Sequence, residues 1–255
     1  MLPAGFERLL LGHAVAIART DVATGLRKAL VHPDGSRYTL HEFAARHPAA
    51  RLLQGRGAAY AVPLSDTPFR VVVRHNRHGG AFARLTGDRF LAPTRAPYEL
   101  DVSLALTRLG VPTPDIVAYA LYPPGRWIQR SDVCSREIIG GRDLAQVLTG
   151  EGAPQRAEAL AATATLVGAL ARVGARHHDL NAKNVLLADN RAYVLDVDRV
   201  RLGQATTAAL HANLVRLERS LRKWRETAGA RVTDEDILLL AERARTAATQ
   251  IHPHS

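Results

Sequence analysis

From the N-terminus, apolar positions first fall into short runs and later into long helical stripes. Residues 9–31 mix apolar and polar positions in a way that suits either an amphipathic helix or strands. The segment 52–64, LLQGRGAAYAVPL, sets two glycines around Arg56 and continues with small and β-prone residues, and 68–75, PFRVVVRH, is a short β-forming run. Together they predict strand, glycine turn, strand, and a further strand. Positions 97–109, PYELDVSLALTRL, open on a proline, carry acids in the first turn and repeat leucine at Leu100, Leu104 and Leu106 or Leu109. That pattern predicts a helix, which GVPTP stops. Two more β-like runs, 115–122 and 131–139, are parted by the turn-rich PPGRW, and GGRDLAQVL at 140–148 starts a short helix.

The second half has a longer period. In 154–174, Leu160, Ala164, Val167 and Leu170 or Ala171 form one stripe that ends in glycine, so a long helix covered by its neighbours is expected. In 212–229, Leu214, Leu217, Leu221 and Trp224 line one side, with Arg216, Arg219, Arg222, Lys223 and Arg225 around the rest. Such a helix packs its leucines on the domain with the cations outside, or lies on an anionic bilayer. The shift from strand-rich to helix-rich falls near Gly140 and Gly141 and predicts an α+β chain of two domains, 1–140 and 141–255.

The densest chemistry lies between these helices, at 177–199, HHDLNAKNVLLADNRAYVLDVDR. If VLL and AYVLDVD pair as a hairpin across ADNR, the residues before the first run and after the second lie at the same end. Asp179, Asn184 and Asp196 then converge. Hard oxygen donors of this kind suit Mg²⁺, which takes the rest of its shell from phosphates and water. A carboxylate outside that shell can orient a hydroxyl and accept its proton, and the chemistry that needs such a set is phosphoryl transfer.

The wording of this segment resembles the lipopolysaccharide kinase family, which includes the 3-deoxy-D-manno-octulosonic acid (Kdo) kinases. Members of this branch of the protein-kinase-like phosphotransferases show H-x-D-L-N-x-x-N-[VI]-L-L and then a D-F-D-R-like strand end. The resemblance implies a two-lobed protein-kinase-like fold, with a β-rich N-lobe covering the nucleotide and a mainly helical C-lobe. It also implies ATP and Mg²⁺ as cofactors. On matching positions, Asp179 is the catalytic aspartate, His177 braces its loop, and Asn181 belongs to the same loop. Asn184 and Asp196 hold the metal, with Asp198 beside them; Asp198 stands where a protein kinase has glycine, which argues against an activation loop.

Gly55, Arg56 and Gly57 would cover the triphosphate, and Arg74 takes the place of the usual phosphate-binding lysine. Glu99 is its expected partner, with Asp101 as the competitor, and Glu137 and Ile139 in REIIGG fall where adenine would meet the chain. RHNRHGG, 74–80, is similar to the family's R-H-Y-R-R-G-G, and Arg77 and His78, with Lys183, are assigned to the acceptor. That implied acceptor is an anionic lipid-linked sugar, a Kdo residue on a lipid A precursor. Other readings stay open: a heptose kinase, a small-molecule kinase of the aminoglycoside or choline type, or a pseudokinase that only binds.

Composition narrows the field further. The formal charge is +10 over 255 residues, and nearly all of the positive charge is arginine, since lysine occurs only at Lys28, Lys183 and Lys223. Such a surplus suits phosphorylated substrates or an anionic lipid face. Aromatics at 5% provide poorly for stacking on single-stranded nucleic acid, so no nucleic-acid partner is expected. The single cysteine, Cys134, allows neither an intramolecular disulfide nor a cysteine-cluster metal site. The expected location is cytoplasmic, because no apolar run is long enough to span a bilayer and the N-terminus lacks a secretory pattern, and the lipid-linked acceptor that the resemblance implies makes it peripheral on the cytoplasmic face of the inner membrane. Oligomeric state leaves no signal.

Overall fold

The structure, a computed structural model, describes residues 2–31, 34–53, 58–75, 90–91, 94–122 and 128–249. The chain forms two compact units, Met1–Asp101 with Asp115–Glu137, and Val102–Pro114 with Ile138–Ser255.

The first unit is built on an antiparallel sheet. Its strands are β1 (Phe6–Leu10), β2 (Val15–Arg19), β3 (Arg51–Leu53), β4 (Ala59–Pro63), β5 (Arg70–His75), β6 (Phe90–Leu91), β7 (Ile116–Tyr122) and β8 (Ile128–Arg136). They run in the order β1-β2-β7-β8-β5-β4-β3, with β6 paired to β8. Helices α1 (Ala23–Leu30) and α2 (Leu40–Arg46) supply Leu26, Leu30 and Leu40 to a core shared with Val62, Val71, Val73, Val117 and Cys134. The ambiguous stretch 9–31 thus holds β2 and α1. Leu10 misleads there because it is apolar yet exposed on the edge strand β1.

Strand periodicity decides what β5 presents. Val71 and Val73 are buried in the helix-covered core, so Arg74 points to the opposite face. His75 returns to the core side, where its Nδ1 lies 2.5 Å from Oδ1 of Asp132, a fully buried carboxylate. The other oxygen of Asp132 accepts from the His41 N–H (2.9 Å) and the Tyr122 hydroxyl (3.0 Å), and that hydroxyl accepts from the Leu40 N–H. The first amides of α2 are therefore satisfied by the sheet beneath it.

The second unit is mainly helical. The helix α3 (Ala96–Arg108) starts in the first unit and ends in the second; α4 (Leu144–Gly150), α5 (Ala153–Arg172), α6 (Thr207–Ala228) and α7 (Asp234–Thr249) follow. Short strands β9 (Arg142–Asp143), β10 (Ala175–His177), β11 (Val185–Ala188), β12 (Arg191–Val194) and β13 (Val200–Leu202) pair as β12-β11-β9 and β10-β13. Thr206 caps α6 and Gly229, at φ 66°, ends it, so the helix begins five residues ahead of the expected 212. Leu214, Leu217 and Leu221 are buried, which settles where that leucine stripe packs, while Arg219, Arg222 and Lys223 stay exposed. Helices α5 and α7 touch at Gly168, where a Cβ would lie 2.6 Å from that of Ala247. The architecture is α+β, a β-rich unit and a mainly helical one. Among the described residues, no helix is long and apolar enough to cross a membrane.

Candidate active site

Helix α5 delivers the chain to the site. Its end is turned by Gly174, whose φ of 66° and close approach to the Gly203 carbonyl exclude a side chain. Strand β10 then leads into 178–181, a 3₁₀ turn at Ala182–Asn184, and the β11–β12 hairpin. Asp189 and Asn190, with φ of 48° and 57°, form its two-residue turn, so the local chemistry of ADNR sets the register Val185↔Val194.

That register places Asn184 opposite Leu195, and the Leu195 N–H donates to the Asn184 carbonyl at 2.9 Å. Asn184 in turn donates through Nδ2 to the Asp179 carbonyl (2.8 Å), which also accepts from Asn181 Nδ2 (2.9 Å). Asn181 Oδ1 accepts from the Lys183 N–H, so both ends of its amide are engaged inside the loop. His177 closes the lattice. Fully buried, it accepts the Asp179 N–H on Nδ1 (3.1 Å) and donates from Nε2 to the Leu195 carbonyl (2.9 Å). Only the neutral ring protonated at Nε2 satisfies both bonds. Burial pushes its pKa below the ordinary histidine value, against the raising effect of the Leu195 bond and of Asp196, Asp179 and Asp198. Those three carboxylates therefore lie within electrostatic reach of one imidazole.

Asp196 has left-handed backbone, φ 52° and ψ 48°, a conformation costly for a residue with a side chain and frequent where geometry serves function. With Nδ2 of Asn184 committed, its carbonyl oxygen is the group left to ligate. Asn184 Oδ1 and Asp196 fit Mg²⁺ as the partial oxygen set that phosphates would complete. Among the described residues no group of three or more His, Cys, Asp or Glu could hold an ion by itself. Asp198 lies 3.6 Å from Arg199 Nε, so its charge is partly answered already.

Elsewhere the expected residues have defined places. Arg74 forms an ion pair with Glu99, which is 2% exposed on the first turn of α3; Asp101 is exposed. The Glu137 carboxylate is taken by Arg51 and Arg70, so a nucleotide would meet only its main chain, and the Ile139 side chain is 80% exposed. Lys183 Nζ sits 3.0 Å from Asp143 and 5.2 Å from the Trp224 ring centroid. Gly55, Arg56, Gly57, Arg77 and His78 lie outside the described residues.

Two residues of the site escaped the sequence reading. Asn213 of α6, fully buried, accepts the His177 N–H (3.0 Å) and donates to the Ala175 carbonyl (2.9 Å), and the Ser220 hydroxyl accepts the Ala182 N–H (3.0 Å). Asn213, Leu217, Ser220 and Trp224 recur at helical spacing. Polar residues interrupting an apolar stripe were the available signal.

Comparison with known proteins decides the family. Residues 45–241 match the lipopolysaccharide kinase (Kdo/WaaP) family. The chain belongs to this family. It is 34% identical over 181 residues to a 3-deoxy-D-manno-octulosonic acid kinase of Stenotrophomonas maltophilia (strain K279a), covering 67% of this chain and 68% of that one. Against the enzyme of the same name from Xanthomonas oryzae pv. oryzae (strain PXO99A) it is 35% identical over 192 residues, covering 71% and 73%. The solved structure of WaaP in complex with acyl carrier protein shares the fold at TM-score 0.50 and 20% identity, covering 86% of this chain and 87% of that one.

Proposed function

We propose that this lipopolysaccharide kinase homologue transfers the terminal phosphoryl group of ATP to a hydroxyl of a Kdo residue on a lipid A precursor. The observation that carries the proposal is the lattice joining His177, Asp179, Asn184 and Leu195, which holds a carboxylate beside an oxygen donor set at one hairpin end. Curated relatives 34% and 35% identical to this chain bear the name of that activity.

In this reading Asp179 orients the acceptor hydroxyl and takes its proton as the new O–P bond forms and the bond to the departing ADP breaks. Asn184 and Asp196 would hold Mg²⁺, which supplies neutralisation of phosphate charge when bound. His177 keeps the Asp179 main chain fixed, and Arg74, steadied by Glu99, neutralises phosphate oxygens. Residues 1–140 serve as the nucleotide-covering lobe and 141–255 as the catalytic lobe. An acceptor anchored in lipid makes the protein peripheral on the cytoplasmic face of the inner membrane.

Labelled ATP, Mg²⁺ and a panel of Kdo-lipid A, heptosylated acceptor, aminoglycosides and small sugars test this directly. Label is expected on Kdo, lost on chelation, and reduced about 10²–10⁴-fold in kcat by Asp179→Ala with folding intact. Label entering heptose or an aminoglycoside instead, or no turnover on any acceptor, rejects the proposal.

A further inference from the structure

Lys183, one position before Asn184, is held from two sides within the second unit. Its Nζ donates to Oδ2 of Asp143 at 3.0 Å and stands over the Trp224 ring, 5.2 Å from the centroid. Each partner has its own anchor. Asp143 accepts the Gln146 N–H on its other oxygen, Oδ1, at 2.8 Å, and lies opposite Leu186 where β9 pairs with β11. Trp224 follows Ser220 by one helical turn, and the Ser220 hydroxyl accepts the Ala182 N–H at 3.0 Å. The docking of α6 that sets Asn213 on His177 therefore also brings an indole to the end of the catalytic loop. That loop folds back on itself: Asn184 bonds through Nδ2 to the Asp179 carbonyl (2.8 Å) and through its N–H to the Asn181 carbonyl (2.9 Å). Lys183 thus lies closer to Asp179 than the roughly 14 Å that four extended residues would span.

Exposure orders the three groups. The Asp143 side chain is 10% exposed and that of Lys183 32%, so a ligand arriving from solvent meets the ammonium with the carboxylate behind it. Trp224 is half-buried. An ammonium carries three N–H donors, and the Asp143 bond uses one of them. Seating the lysine stem between a carboxylate and an indole also removes much of the side-chain freedom that binding would otherwise have to quench. Beside it the indole offers a flat apolar surface of the kind that receives the C–H face of a sugar ring. Donors fixed next to an apolar plane, on the loop whose aspartate handles the acceptor hydroxyl, match a sugar that bears an acid group. We infer that Lys183 and Trp224, with Asp143 behind them, form a subsite for the carboxylate-bearing ring of the acceptor: Trp224 receives an apolar face of the sugar and Lys183 bonds its carboxylate, which selects sugar acids over neutral hexoses and heptoses. The inference rests on the function proposed above for the transfer step, but binding of a sugar acid here requires no transfer.

Two measurements on the full chain test it. The first needs no turnover. In Trp127→Phe, which leaves Trp224 as the sole tryptophan, indole emission is followed while free Kdo is titrated in. A saturable change is expected, with the methyl ester of Kdo binding at least about tenfold more weakly, as the loss of a charge-assisted bond implies. No saturable change, or equal affinities, overturns the subsite. The second compares steady-state kinetics on Kdo-lipid A and on its Kdo methyl ester in detergent micelles. The unaltered protein should favour the acid, and equal KM values overturn the inference whether or not any variant folds. Lys183→Met, with folding checked by circular dichroism, should raise KM for the acid about ten- to hundredfold at unchanged KM for ATP. Esterification should then make no further difference, since both changes remove the same bond. Trp224→Leu should raise KM for both acceptors alike. A Lys183→Met protein that still tells acid from ester overturns the assignment, and so does one whose KM for ATP rises equally, which would show that Lys183 acts by holding the Asn184 turn. Absence of transfer by the unaltered protein sinks the proposed function instead, and the emission titration then decides the subsite alone.

Discussion

Asn213 is the residue through which α6 holds the catalytic loop, and removing it isolates that contribution. Asn213→Ala strips the partner from two groups at a fully buried position, the His177 N–H and the Ala175 carbonyl. Each orphaned buried group costs about 1–3 kcal/mol, so about 2–4 kcal/mol is expected once the loop has partly relaxed. For a chain of this size that is a fall in Tm of about 5–15 °C. Asn213→Leu, close in volume, removes the same two bonds without opening a cavity and should lose nearly as much. The effect should extend to chemistry, because the His177 ring bears the Asp179 N–H. Thermal unfolding by circular dichroism, with steady-state kinetics on the Kdo acceptor, should show a lower Tm and a lower kcat at nearly constant KM for ATP. A Leu variant with unchanged Tm and kcat would mean that the loop is held by other contacts, and the account of α6 would be wrong.

Three other outcomes are expected. His177 is neutral when folded and its pKa is depressed by burial, so the unfolded chain binds the extra proton first: its contribution to stability is complete above about pH 6.5 and is lost as pH falls through the lower folded value. Unfolding midpoints measured from pH 7.5 to 5 should fall, and a flat profile would contradict the assigned tautomer. Asp143 both caps α4, accepting from the Gln146 N–H, and pairs with Lys183. Asp143→Ala should cost about 1–3 kcal/mol and Asp143→Ser, which keeps a cap, about half as much, with equal losses showing that capping contributes nothing. Burial beside Asp132 pushes the Cys134 thiol up to about 12, so it should resist thiol reagents in the native protein and react on unfolding; rapid native labelling would contradict its place in the sheet core.

How much of this was legible in the sequence depends on the range of the interaction. The β11–β12 hairpin and its turn are local, and the spacing from Asp179 to Asn184 and Asp196 follows from them. Helices with clear leucine stripes were legible for the same reason, although α6 starts earlier because Thr206, a cap outside the stripe, sets its first turn. The stretch 9–31 stayed ambiguous because β1 and β2 are five residues each and the exposed Leu10 blurs the alternation.

By itself the sequence determined the family, the α+β class, the oxygen-rich loop and the cationic surplus, all carried by neighbours along the chain or by side-chain type. Only the tertiary structure decided that Glu99 rather than Asp101 meets Arg74 and that Asn213 anchors His177. These pairings join residues 25 and 36 positions apart, where strand register and helix docking set the distance and no local propensity carries information.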